Sequence, residues 1–169
     1  MDKNYLERFY EAGVDYYHPN LEIYDRGLFS FVSPGKNKFI GYDQWLNTIF
    51  EANRIFGTGN VSPNFVAGAE LVDYNNIGFN NIDDALNSTI DGIKHLMENG
   101  VTPKFDSIAI EPLSWYGKNI KIDVPLYYYI KLYRKYHEFR KMYGLPYPGG
   151  LGDGGTGKTK VPASAFMDL

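Results

Sequence analysis

Apolar positions along this chain follow two different periods. Over 42–56, Trp45, Leu46, Ile49, Phe50 and Phe56 fall close to one helical stripe, and over 82–99 Ile82, Leu86, Ile90, Ile93, Leu96 and Met97 do the same. A third stripe, carrying Leu126, Ile130, Tyr133, His137 and Arg140, predicts a helix ending near 143, with Asp123 as its cap and Pro125 in its first turn. Residues 4–12 read as the last turns of another helix. Asn81 is placed to cap the helix that follows it, and Asp83 and Asp84 favour its positive end. Between these stripes lie β-branched and aromatic runs at 14–23, 61–71 and 101–113. The strands are expected at 14–23, 64–71 and 107–113; the second is short and apolar, as in a strand covered on both faces. Residues 24–40 read as a long loop holding Ser33-Pro34-Gly35-Lys36.

Glycines punctuate the pattern. Gly13, Gly57, Gly100 and Gly144 lie about 43 to 44 residues apart, each just past a helical segment, where a left-handed C-cap is expected. Helix, glycine and strand at that period predict an α/β fold, a partial (βα) barrel of three parallel strands in chain order with flanking helices on one face. The division expected is a half barrel over 1–144 and an extended Gly/Pro-rich tail over 145–169.

Composition narrows the function classes. The 169 residues carry a net charge of −3, against the basic balance of nucleic-acid binders, and contain no cysteine, which excludes disulfides, thiolate metal sites and Cys nucleophiles. No apolar run approaches the roughly 20 residues that span a bilayer, and residues 1–10 lack the apolar core of a signal peptide, so a cytoplasmic location is expected. Fifteen tyrosines raise the aromatic share to 17%; they serve either a face that binds sugars, nucleotides or a protein, or half-buried helix and strand surface.

One motif is set aside. Gly152-Asp153-Gly154-Gly155-Thr156-Gly157-Lys158-Thr159 matches the phosphate-binding pattern at its fixed positions, but Pro146 and Pro148 precede it and Pro162 follows, leaving no strand before it and no helix after it.

Chemistry in βα folds gathers at the C-terminal strand ends. The first end supplies Asn20, Glu22, Asp25 and Arg26, the second Gly68 and Glu70, and the third Glu111 with Trp115. Converging carboxylates suit a polar ligand with hydroxyls and amines; the other reading is loop solvation and strand capping. Arg26, Glu111 and Trp115 are placed on the substrate side.

His18-Pro19-Asn20-Leu21-Glu22-Ile23, followed by Asn64-Phe65-Val66-Ala67-Gly68-Ala69-Glu70, resembles the second half of a radical S-adenosylmethionine barrel of the biotin-synthase and hydrogenase-maturase-like branch. The resemblance covers residues 5–143. It implies that Asn20 and Glu22 contact the ribose of S-adenosylmethionine, and that Val66 and Gly68 lie beside the adenine. Asn64 stands where the family has glycine, and Glu70 comes one residue early. Ile108–Leu113 resembles the strand lining the adenine and substrate side. The cluster-binding Cys-x-x-x-Cys-x-x-Cys loop is absent, so a 4Fe-4S cluster would have to come from a partner polypeptide supplying the first half.

Three readings follow: a C-terminal half of a split radical enzyme, a non-catalytic half barrel that binds a small molecule or a protein, and an unrelated βα enzyme using Glu22, Glu70 and Glu111 as acid and base. The half barrel leaves two open sheet edges and an inner face bearing Leu21, Ile23, Phe65 and Ile108. A first-half polypeptide, a second copy of the chain, or residues 161–169 are expected to cover that face.

Overall fold

The computed structural model describes residues 3–147. The glycine-rich motif at 152–159 and most of the expected tail lie outside those residues. The element order is α1 (Lys3–Glu11), α2 (Arg26–Val32), α3 (Pro34–Phe39), α4 (Tyr42–Phe56), β1 (Asn64–Ala67), a 3-10 turn (Ala69–Leu71), α5 (Ile82–Glu98), β2 (Lys104–Ser107), α6 (Trp115–Asn119) and α7 (Leu126–Met142). The fold is mixed and mostly helical, around a two-stranded parallel sheet in which Asn64 pairs with Lys104 and Ala67 with Ser107.

The three-stranded partial barrel is therefore corrected. Residues 14–23 do run parallel to β1, but they touch it only through isolated bridges, Tyr17 to Val61 and Glu22 to Phe65. Two local features break the ladder. Pro19 has no N–H to give, and Glu22 adopts φ 72°, so that the amides of Leu21 and Glu22 both turn onto the carbonyl of Asn64. β1 stops four residues earlier than expected because Gly68 at φ 97° turns the chain into the 3-10 turn. The third strand sits at Lys104–Ser107, ahead of the apolar run at 108–113. Its register is set by pairing with β1, and once Ile108 has donated to Ala67 the partner strand has already turned away.

The loop expected at 24–40 is two short helices, α2 capped by the Asp25 carboxylate on the Leu28 amide at 2.8 Å, and α3 opened by Pro34. Pro125, not Asp123, holds the cap position of α7, without a side-chain bond. The boundaries of α4 and α5 match the apolar stripes, and Asn81 caps α5 through the Asp83 amide at 2.8 Å. The four punctuating glycines all have positive φ, between 64° and 88°.

The sheet is two-faced. Phe65 and Phe105 point to the helices and are buried, with the Phe105 ring 5.8 Å from Tyr136 of α7. Tyr17 stacks on Phe56 of α4 at 5.8 Å. Leu21, Ile23 and Phe65 belong to this closed core and are fully buried, so they line no bare inner face. Residues of the opposite phase are Asn64, Val66, Lys104 and Asp106; Asn64 is buried and Val66 packs against the core. Burying each large core side chain contributes about 1.5–3 kcal/mol.

Candidate functional site: an acidic cleft at the end of the first parallel segment

Where the first parallel segment ends, Tyr24, Asp25 and Arg26 form one wall of an open cleft of about 560 Å³. Tyr42, from the first turn of α4, and Phe79, from the loop before α5, close its ends. The far wall is one stripe of α5: Asp84, Asn87, Ser88 and Asp91 recur at three- and four-residue spacing and so share a face.

The walls are fixed by packing that the sequence encodes. Gly92 sits inside α5, where glycine costs about 1 kcal/mol relative to alanine. A Cβ there would lie 2.4 Å from the Tyr24 ring, so the glycine is what lets Tyr24 lie against the helix. The Tyr24 hydroxyl meets His95 Nδ1 at 3.0 Å, and its backbone carbonyl accepts the Tyr42 hydroxyl at 2.6 Å. Burial raises both tyrosines above their ordinary pKa, and the charge of Asp91 adds to the effect on Tyr24. Arg26 makes a two-pronged pair with Asp43 and lies 5.0 Å above the Tyr42 ring. Hydrogen bonding to Arg26 holds the Asp43 carboxyl below the usual range. With Arg26 paired to Asp43, the cleft keeps three further carboxylates, Asp25, Asp84 and Asp91.

The residues expected to bind a cofactor do not assemble here. The Asn20 carbonyl is the anchor for α3 and α4, accepting Lys36 Nζ at 2.7 Å and Trp45 Nε1 at 2.9 Å. Glu22 pairs with the same lysine at 2.7 Å. Val66 is half-buried. Gly68 is packed so closely that an added Cβ would stand 2.7 Å from Val124. Glu70 is fully buried: its carboxyl receives the Gly68 amide at 3.0 Å, the Tyr128 hydroxyl at 3.2 Å and the Thr89 hydroxyl. Burial pushes its pKa up, and burial together with Glu70 pushes Tyr128 up. Glu70 thus ties the 3-10 turn to α5 and α7.

On the substrate side only Arg26 lines the cleft. Glu111 is exposed and receives the Leu113 amide at 3.3 Å. Trp115 stands 50% exposed in a surface cluster, its ring 5.1 Å from Tyr74 and 6.5 Å from Phe31, while Phe31 stacks on Tyr74 at 5.5 Å. Sequence reasoning reached Asp25 and Arg26 but missed the α5 wall, whose signal was a polar stripe on the same helix whose apolar stripe was read.

Among the described residues, no three imidazole or carboxylate groups converge as a metal site, and no helix is long and apolar enough to cross a membrane. Comparison with family models, curated proteins and solved structures finds no match.

Proposed function

We propose that the chain is a small-molecule-binding α/β domain whose ligand carries amine and hydroxyl donors. The observation that carries this reading is the cleft itself. Its volume falls in the range of ligand sites, about 300–1,000 Å³. Asp25, Asp84 and Asp91 offer acceptors to N–H and O–H groups, Asn87 and Ser88 add neutral polar contacts, and Tyr24, Tyr42 and Phe79 supply aromatic surface for an apolar or cationic body. Anionic ligands face three carboxylates with the one cleft arginine already paired. S-adenosylmethionine, with its amine, sulfonium and ribose hydroxyls, fits this chemistry better at the cleft than at Asn20 and Glu22, where the Asn20 backbone carbonyl and the Glu22 carboxylate both hold Lys36 of α3.

Calorimetric titration with a linear polyamine, an amino sugar, a neutral sugar and S-adenosylmethionine tests the reading. At least one amine-bearing ligand should bind, and Asp84→Asn with Asp91→Asn should weaken it by tenfold or more, equivalent to about 1.4 kcal/mol. Binding that survives the double substitution, or no binding by any of the four ligands, rejects the proposal.

A further inference from the structure

Along one flank of α7 lies a groove of about 400 Å³, apart from the acidic cleft. Leu126, Tyr129 and Ile130 share one helical stripe and form its wall, and the buried Phe105 of β2 closes its floor. Leu126 is 70% exposed and Ile130 44%, while Tyr128 and Leu132 on the other side of the helix are fully buried. α7 therefore carries two apolar stripes, one docked in the core and one open among the described residues. An amphipathic surface helix needs only the first, and exposed aliphatic side chains gathered in a groove mark a surface that something covers.

One cation borders the groove. Arg134 is exposed and makes no ion pair among the described residues, whereas the lysines on either side of it do, Lys131 with Asp83 at 3.0 Å and Lys135 with Glu138 at 2.8 Å. The occupant that fits this groove carries apolar side chains with an acid among them.

The chain itself supplies such a segment. The described residues end against the same helix, with the Tyr147 ring 3.8 Å from the Arg140 guanidinium carbon and 6.0 Å from the His137 ring. From His137 back to Leu126 is about 16 Å along the helix axis, and residues 148–160 can span at most roughly 45 Å. Past that spacer come Val161, Phe166, Met167 and Leu169, and Asp168 is the one acid after Asp153. A tethered segment within reach has an effective concentration in roughly the millimolar range, so a modest affinity seats it ahead of a second molecule. We propose that residues 161–169 fold back along α7 and lay Phe166, Met167 and Leu169 into the groove, with Asp168 on Arg134. The open stripe of α7 is then covered within one chain.

Amide hydrogen exchange of the full chain, at two concentrations tenfold apart, tests this. The amides of 165–169 should exchange about tenfold or more slowly than in an isolated peptide of residues 161–169, equally at both concentrations. Leu126→Asp keeps the start of α7, since an acid suits the first turn, and should return those amides to the peptide rate. Phe166→Ser, which alters no described residue, should do the same. Arg134→Glu should reduce the protection, and Arg134→Glu with Asp168→Arg should restore it. Circular dichroism confirms that each variant is folded. Peptide-like exchange in the wild type, protection that grows with concentration and so assigns the groove to a second copy, protection that survives Phe166→Ser, or a folded double variant that stays unprotected would each overturn the proposal. The wild-type and Phe166→Ser measurements decide it even if a change in α7 unfolds the chain.

Discussion

Glu70 is a fully buried carboxyl held by donors from Gly68, Thr89 and Tyr128. Its folded pKa is raised above the ordinary 4.5, so the folded state holds the proton more tightly than the unfolded chain does. That contribution is fully present below pH 4.5 and is lost as pH rises through the folded value. Thermal unfolding measured from mildly acidic to neutral pH should show stability falling as pH increases, and Glu70→Gln should flatten the slope. Thr89→Val leaves one carboxyl oxygen without its donor and should cost about 1–3 kcal/mol in denaturant unfolding. Gly92 works by absence. In Gly92→Ala the new methyl meets the Tyr24 ring, so despite the gain in helix propensity the variant should lose about 1–3 kcal/mol. It should also weaken any ligand held by the cleft, which calorimetry would show. The acidity of Glu70 was visible in the sequence, but its role was not. A carboxylate near the C-terminal end of a strand expected at 64–71 reads as a mouth residue, and only the left-handed Gly68 turns it into the core.

At the scale of elements, what the sequence made legible was whatever period and capping control. The stripes at 42–56 and 82–99 became α4 and α5 because each offers enough apolar area on one face to dock without help from elsewhere. The strands were legible as parallel neighbours but not as residues. Within the run at 101–113 the strand was expected over 107–113, where the apolar residues lie, but it forms over the more polar Lys104–Ser107, because pairing with β1 outweighs hydrophobicity when a ladder is only four residues long. The two helices at 26–39 were hidden because each is shorter than two full turns and too short to show a stripe; Asp25 and Pro34, both sound start signals, were the readable clues. Gly68 decides where β1 ends. Gly68→Ala would place a methyl 2.7 Å from Val124 at φ 97°. It should cost at least about 1–2 kcal/mol from backbone conformation alone, with a lowered denaturant midpoint as the readout.

For the molecule as a whole, one contiguous core joins α1, the first parallel segment, the sheet and the helices. Leu132 lies fully buried in α7 within it, so Leu132→Ala should cost about 2–5 kcal/mol. Near- and far-ultraviolet dichroism should still report coincident transitions, because the described residues share one core. The same continuity places the two tryptophans in contrasting settings. Trp45 is 9% exposed, with its indole N–H on the Asn20 carbonyl and the Lys36 ammonium 5.5 Å from its ring. Trp115 is half open to water in the surface cluster with Phe31 and Tyr74. The chain therefore contains its own pair of optical probes. Iodide should quench a red-shifted emission from Trp115 and leave a blue-shifted emission from Trp45 largely untouched. Replacing Trp115 by phenylalanine would leave a single lamp that reports whether α3 and α4 still grip the first segment.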